Sequence, residues 1–297
     1  MDIKSYLKER CALVDEALDR FLSREDELPA SVHRSMRYSV FAGGKRVRPI
    51  MMLAACEAVG GAIDLAMPAA CAMEMIHTYS LIHDDLPAMD DDDFRRGNPT
   101  NHKVFGEAVA ILAGDALLTE AFVLLSSPAM TDKVDAARLL AVIQEMSRAA
   151  GSHGMVGGQV VDMESEGKPE IDLATVQYIH THKTGALLRA SVKAGAILGG
   201  AEGKVLEAMT RYGEAAGLAF QIADDILDIE GTTEQLGKDA GSDEARGKAT
   251  YPAVVGLADA KRRADELVEI ALDALSIFDE KADPLREIAK YIVYRKS

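Results

Sequence analysis

The sequence predicts an all-α fold, a single large helical bundle that forms one domain over residues 1–297. Ala, Leu, Met and Glu, which favour helix, are abundant, and Trp is absent. Val, Ile, Thr and Tyr do not alternate with polar residues between hairpin turns, as they would in strands. Gly and Pro instead divide the chain into roughly ten apolar-periodic stretches of helical length, with no linker and no short internal repeat.

The periodic stretches place the helices along the chain. Clear examples, in order, are Pro68–Asp85, Glu107–Leu125, Asp135–Ala150, Leu173–Leu198, Lys204–Ile229 and Tyr251–Phe278. The segments Ala69–Leu81 and Ala108–Leu118 are apolar nearly all round, which predicts that both lie inside the bundle. The chain is long enough to enclose one sizeable core.

Composition and charge exclude several classes of protein. The net charge of −15 argues against a nucleic-acid or anionic-membrane partner, because both prefer a basic surface. We expect no integral membrane segment, since no apolar stretch approaches the length of a bilayer span and the N-terminus lacks a signal core. Cys11, Cys56 and Cys71 have neither disulfide nor zinc spacing. These features predict a cytoplasmic protein.

An acidic stripe is predicted on the helix that contains FQIADDILD, residues 220–228. Gln221, Asp224, Asp225 and Asp228 are spaced i, i+3, i+4 and i+7, so that they share one helix face. Three carboxylates on an otherwise apolar helix would repel one another and resist desolvation, and a bound divalent cation would relieve both costs. Oxygen ligands without His or Cys favour Mg²⁺. The alternative is a solvated acidic helix face.

A second acidic cluster lies in HDDLPAMDDDDFRRGNPTNH, residues 83–102. An apolar helix delivers Asp84 and Asp85 at its end and is broken by Pro87, while His77 shares a helix face with Asp84. The charged residues that follow are Asp90, Asp91, Asp92, Asp93, Arg95 and Arg96. The two arginines could bind phosphate oxygens brought in by a metal. An acidic loop salt-bridged by these arginines is the alternative, which the presence of two such clusters makes weaker.

Basic residues recur at separate places. They are Lys45, Arg46 and Arg48, which follow Gly44 in the Gly-rich turn GGKRVRP, Lys183, which stands beside the hydroxyl of Thr184 in HKTG, and Lys238 and Lys248 in the polar loop after residue 230. The proline of GGKRVRP suits the first position of a helix, where free amides bind phosphate. Each lysine alone is more often a surface residue than a ligand. P-loop, dinucleotide-binding, nucleophile-elbow and zinc-protease motifs are absent from the sequence.

Six strings together resemble the trans-isoprenyl diphosphate synthases, specifically the bacterial farnesyl diphosphate synthases (geranyltranstransferases). They are GGKRVRP, HDDLPAMDDDDFRRGNPTNH, GGQVVDM, HKTGALLRA, FQIADDILD and GKATYPAVVGL, in that order over most of the chain. The resemblance implies the all-α isoprenoid synthase fold, a central cavity lined by both aspartate motifs, and usually a homodimer.

The resemblance also implies a role for each matching residue. The catalytic residues would be Asp84, Asp85, Asp90, Arg95, Lys183 and Asp224. Asp84 and Asp90 would bind two Mg²⁺ ions on the allylic diphosphate, and Asp224 with Asp228 would hold a third, with Mn²⁺ as a possible substitute. The allylic substrate would be bound by Arg95, Lys183, Gln221, Lys238 and Lys248. Isopentenyl diphosphate would be bound by Gly44, Lys45, Arg48, His77 and Arg96. Thr184 and Gln221 would face the carbocation.

The implied reaction joins isopentenyl diphosphate to dimethylallyl or geranyl diphosphate. Mg²⁺ and basic side chains would stabilise the departing diphosphate, and an apolar cavity would keep water from the allylic cation. Product length would depend on Tyr79 and Ser80, five and four positions before the first motif aspartate. The bulky ring of Tyr79 favours the fifteen-carbon farnesyl product, although core packing would also explain it.

Three further functions are compatible with parts of these motifs. A geranylgeranyl diphosphate synthase shares nearly the same strings and tends to carry a smaller residue at the Tyr79 position. A class I terpene cyclase usually has one aspartate-rich motif, whereas this chain has two. A non-catalytic partner subunit tends to lose motif aspartates, and both sets are intact here.

Overall fold

A computed structural model describes residues 1–168, 171–230 and 250–295. The helices are α1 Ile3–Phe21, α2 Ala30–Val40, α3 Val47–Ala58, α4 Ile63–Asp84, α5 Asn101–Phe105, α6 Glu107–Leu125, α7 Pro128–Thr131, α8 Ala136–Ala150, α9 Met155–Ser165, α10 Leu173–Ile179, α11 Gly185–Leu198, α12 Gly203–Glu230, α13 Tyr251–Val255, α14 Leu257–Ala274 and α15 Asp283–Tyr294. A π-helix, His180–Thr184, joins α10 to α11, and a 3₁₀ turn, Glu280–Ala282, precedes α15. The predicted all-α fold is confirmed.

Two apolar clusters form the interior of the bundle. One gathers buried side chains of α4, α6 and α8, and the other gathers those of α12, α14 and α15. The helices α3 and α11 contribute to both, because neighbouring side chains such as Met51 and Met52, or Leu187 and Leu188, belong to different clusters. These two helices therefore lie between the clusters, which explains why they are apolar on more than one face.

Two predicted helices are interrupted in the structure. Leu173–Leu198 contains the π-helix, and Tyr251–Phe278 is divided at Gly256, which has a φ of +85° that L-residues rarely adopt. The sequence also did not predict the small hairpin β1, Phe94–Arg95, paired antiparallel with β2, Asn98–Pro99. These two-residue strands are too short to show a periodic pattern.

The expectation that Ala108–Leu118 lies wholly inside the bundle is wrong. One side of α6 packs against α4, but Ile111 is 43% exposed and Leu112 is 58% exposed. The run Glu107–Thr131 contains an 18-residue window with a mean hydropathy of 2.0, so it could cross a bilayer by length and composition alone, contrary to the sequence expectation. Core helices of bundles meet the same criteria. Val123 is also exposed, on the face of α6 that carries Leu112, and we call Leu112 and Val123 the α6 stripe.

Candidate active site

A half-open cavity of about 560 Å³ lies between α4, α6, α9 and the start of α11. The polar part of its lining includes Arg48, His77, Asp84, Lys183 and Thr184. The rest of the lining is mainly apolar and includes Tyr79, Leu81, Leu86, Met89, Ile111, Met155, Val160 and Met163. This arrangement suits a long apolar chain that carries an anionic group at one end.

The backbone after α4 turns back and brings Asp90 beside Asp84. The N–H of Asp90 donates to the carbonyl oxygen of Asp84 at 2.8 Å. The pKa of Asp84 is raised to about 6, chiefly by burial; the charge of Lys183 opposes this shift and the charge of nearby Asp90 adds to it. Burial and a second carboxylate make the charged form of Asp84 unfavourable, so the site favours a cation.

Asp85 and Arg95 bind each other. Nε of Arg95 donates to both carboxylate oxygens of Asp85 at 2.8 and 2.9 Å, and the Asp85 side chain is only 4% exposed. Burial raises the pKa of Asp85, although the bonds from Arg95 oppose that change. The salt-bridged alternative therefore describes Asp85, and the metal hypothesis at this cluster rests on Asp84 and Asp90.

The loop between α2 and α3 carries the first basic group. Arg46, in a left-handed conformation with φ +47°, turns away from the cavity and donates to Glu74 at 2.7 Å and to Asp15 at 2.8 Å. Arg48 follows on α3 and lines the cavity, and its buried Nε has no hydrogen-bond partner. Because Arg46 is held by carboxylates, Arg48 is the arginine of this string that is available to a ligand.

The other side chains assigned to isopentenyl diphosphate lie around Arg48. Burial, and then the charges of Arg48 and Arg96, hold the pKa of His77 well below its usual range, so His77 is neutral at neutral pH. Arg96 donates through Nη1 to the carbonyl of Gly43, and a Cβ at Gly44 would lie 2.6 Å from that nitrogen. Burial also lowers the pKa of Lys45. The group concentrates the positive charges of Lys45, Arg48 and Arg96 beside neutral His77, and both Lys45 and Arg96 are exposed to solvent.

Lys183 reaches the cavity from the π-helix. Its Nζ donates to Asp162 of α9 at 2.5 Å. Burial lowers the pKa of Lys183, but Asp162 and Asp84 outweigh burial and raise it overall. A Cβ at Gly158 would lie 2.2 Å from the backbone nitrogen of Lys183, so α9 packs directly on the π-helix. Sequence reasoning did not assign Asp162, although it lies in the string GGQVVDM that carries the resemblance.

The second aspartate motif does not form a single exposed stripe. Asp225 is buried, where it accepts a bond from the backbone N–H of Tyr251 at 2.7 Å and lies 3.3 Å from Nε2 of His180. Asp224 pairs with Arg295, whose guanidinium lies over the ring of Phe220 at 4.6 Å. Asp225 therefore joins α12 to the π-helix and to α13, while a cationic side chain already lies at Asp224.

Several predicted residues lie outside the lining of the cavity or outside the described chain. Asp228 is 3% exposed, and Gln221 is partly buried without lining the cavity. Lys238 and Lys248 fall outside the described residues. Within residues 1–168, 171–230 and 250–295, no group of three or more His, Cys, Asp or Glu side chains is placed to hold a metal ion. Any metal at Asp84 and Asp90 would need further ligands from a substrate or from water.

The two residues proposed to set product length are placed at the cavity. Tyr79 lines it and is 7% exposed, and its ring meets that of His83 edge-on, with centroids 5.7 Å apart. Ser80 also lines the cavity, and its hydroxyl donates to the carbonyl of His77 at 2.8 Å. Tyr79 is thus in a position where its bulk limits the space available to an apolar chain.

Comparison with known proteins agrees with this geometry. A family model described as polyprenyl synthetase matches residues 29–288. A geranylgeranyl diphosphate synthase from Cyanophora paradoxa is 49% identical over 100% of this chain and 97% of its own. A farnesyl diphosphate synthase from Geobacillus stearothermophilus is 48% identical over 99% and 98%.

A solved structure supports the same family. The apo crystal structure of a FPP/GFPP synthase from Zymomonas mobilis is 38% identical and superposes with a TM-score of 0.87, covering 98% of this chain and 99% of that one. The likeness extends over nearly the whole chain. The chain therefore belongs to the polyprenyl synthetase family and is a trans-prenyltransferase that elongates prenyl diphosphates.

Proposed function

We propose that this enzyme is a farnesyl diphosphate synthase, which condenses isopentenyl diphosphate with dimethylallyl and then geranyl diphosphate. The observation that carries the proposal is the buried ring of Tyr79 in the cavity wall, five positions before Asp84. A C15 chain whose diphosphate lies at Asp84 would extend along the apolar lining, and the ring would limit further growth. The farnesyl diphosphate synthase from Geobacillus stearothermophilus, at 48% identity, supports this proposal.

The residues in and around the cavity have separable tasks in this proposal. Lys183 and Arg95 would bind the allylic diphosphate, while Arg48, Lys45 and neutral His77 would bind isopentenyl diphosphate. The hydroxyl of Thr184 would face the allylic cation, which the double bond of isopentenyl diphosphate attacks. The proton then lost could pass to the released diphosphate, which would explain why no separate base is needed. The apolar lining excludes water, which would otherwise quench the cation.

Divalent metal fits the acidic side chains of this site. Asp84 and Asp90 are close, and the raised pKa of Asp84 shows that its charge lacks full compensation. Asp224 already accepts a cationic partner in Arg295. Asp84 and Asp90, and separately Asp224 with Asp228, would hold Mg²⁺, or Mn²⁺ in its place. When bound, the metal would neutralise charge on the departing diphosphate.

Geranylgeranyl diphosphate synthase is the second candidate. The Cyanophora paradoxa relative, at 49% identity, favours it. A terpene cyclase or a non-catalytic subunit is less well supported, because both aspartate motifs are present together with Lys45 and Arg48 for a second diphosphate.

We also propose that the enzyme is a cytoplasmic homodimer. The α6 stripe leaves Leu112 58% exposed and Val123 51% exposed, and Leu140 on the neighbouring α8 is 65% exposed. Large apolar side chains that are exposed on two adjacent helices indicate a candidate subunit interface. A second copy of the chain would cover them.

The deciding experiment measures product length. Purified enzyme is incubated with Mg²⁺, isopentenyl diphosphate and either dimethylallyl or geranyl diphosphate, and the products are separated by chain length. We expect mainly C15 product, and none when EDTA removes the metal. A C20 product from the native enzyme would select the second candidate, and no condensation with either acceptor would refute both.

A further inference from the structure

His83 connects the proposed length-setting residue to α6. It lies in the last turn of α4, immediately before Asp84. One edge of its ring meets Tyr79, with 5.7 Å between centroids and 78° between the ring planes. On the other side Nε2 lies 3.1 Å from the carbonyl oxygen of Ile111 in α6. Because a carbonyl can only accept, Nε2 carries the proton of this bond.

The backbone of α6 is shaped to receive the His83 ring. A Cβ at Gly114 would lie 2.2 Å from Nε2 of His83 and 2.6 Å from Cδ2. The ring therefore lies directly on the helix where a side chain is missing, one turn after the carbonyl that it bonds. Glycine is otherwise unfavourable inside a helix, so its presence in the middle of α6 is explained by this contact.

We propose that His83 is a positioning residue for chain length: it fixes the ring of Tyr79 against the cavity by anchoring it to Ile111 and Gly114. This inference rests on the proposed function, in which Tyr79 limits the growing chain. An edge-on aromatic contact holds a ring in one orientation. Ile111 itself lines the cavity, so His83 ties together two parts of the wall that a longer product would have to separate.

The proposal is tested from both sides of the contact. His83→Asn loses the ring, and Gly114→Ala displaces it without changing α4. For both variants we expect the ratio of longer product to native product to rise by about tenfold, the scale of one aromatic contact. His33→Ala is the matched control, because His33 makes a similar ring-to-carbonyl bond, 3.1 Å to Glu27, far from the cavity. It should leave the product distribution unchanged.

Product length is read with enzyme in excess over labelled geranyl diphosphate, so that even a slow variant yields a chain-length distribution. If both variants make product of native length, His83 only supports the fold and the proposal is overturned. A native C20 product would refute the proposed farnesyl specificity, yet a shift from C20 to longer chains in both variants would still support the role of His83.

Discussion

At the scale of single residues, Asp84 is a proposed metal ligand whose surroundings disfavour the charged form of its carboxylate. Burial raises its pKa to about 6 from 3.8. A raised pKa means that the charged carboxylate destabilises the folded, metal-free protein. The shift corresponds to about 3 kcal/mol near neutral pH, where the group is ionised in both the folded and the unfolded chain.

We therefore predict opposite effects of Asp84→Asn on activity and on stability. Turnover should fall by orders of magnitude, because the proposed metal ligand is lost, while the free energy of unfolding without Mg²⁺ at pH 7 should rise by up to about 3 kcal/mol. Condensation assays and urea unfolding measure the two quantities. Asp64→Asn is the control. Asp64 is exposed in the first turn of the same helix, so this substitution should not raise the free energy of unfolding. A destabilised Asp84→Asn variant would contradict this account.

The stability difference should depend on pH in a defined window. Below the unfolded pKa of 3.8, Asp84 is protonated and uncharged in both the folded and the unfolded state, so it does not lower the free energy of unfolding. As the pH rises towards the folded value of about 6, the unfolded chain loses the proton first, so wild-type stability falls. Unfolding of wild type and Asp84→Asn should therefore coincide near pH 3.5 and diverge until about pH 6.5. A constant difference across this range would assign the effect to another cause.

Helical spacing predicted where the acidic and basic side chains lie along the chain but not which of them would pair. Asp84, Arg48, His77 and Lys183 line one cavity, as the motifs suggested. The pairing of Lys183 with Asp162 could not be predicted in the same way, since it joins helices whose crossing no local pattern specifies. Periodicity fixes the face of a helix, whereas partners depend on tertiary packing.

At the scale of elements, the loop before α3 is fixed by a buried ion pair. The Arg46 and Glu74 side chains are 2% and 3% exposed, and they join the loop to α4. Removing one partner of such a pair leaves the other charge buried and uncompensated. Because Lys45 and Arg48 flank Arg46, the same pair should hold the proposed isopentenyl diphosphate site in shape.

We predict that Arg46→Met lowers the free energy of unfolding by about 3–5 kcal/mol and raises the KM for isopentenyl diphosphate more than that for the allylic substrate. The double variant Arg46→Met/Glu74→Met should recover most of the stability, because neither charge is then left unpaired. Arg24→Met is the control: its ion pair with Asp26 has side chains 84% and 76% exposed, and such pairs contribute at most about 1 kcal/mol. Equal losses in the single and double variants would argue against an uncompensated charge.

Sequence patterns predicted the bounds of some helices more accurately than those of others. The predicted helix Glu107–Leu125 coincides with α6, since Gly106 and Ser126 bound a long apolar run. The π-helix could not be predicted, because a single wider turn changes the periodicity over too few residues to be detected. The division at Gly256 was missed for a similar reason, as one glycine inside a helical pattern is often tolerated.

At the scale of the whole molecule, the proposed homodimer accounts for the exposed α6 stripe. We predict that Leu112→Glu shifts the native protein from dimer to monomer, because a charge in the apolar centre of an interface would be desolvated without a partner. Light scattering after gel filtration measures the mass. Leu28→Glu is the control, since Leu28 is 87% exposed away from the stripe. A wild-type protein that is already monomeric would refute the dimer.

The π-helix His180–Thr184 makes this part of the chain intolerant of a change in length. Each residue of an α-helix rotates the chain by about 100°, so deletion of one residue here would turn α11 by that angle relative to α10. Either Lys183 would leave the cavity, or the apolar faces of α11 would leave the two clusters between which they lie. Over evolution, insertions and deletions should accumulate in the surface loops of this chain, whereas the spacing between α10 and α11 should stay fixed.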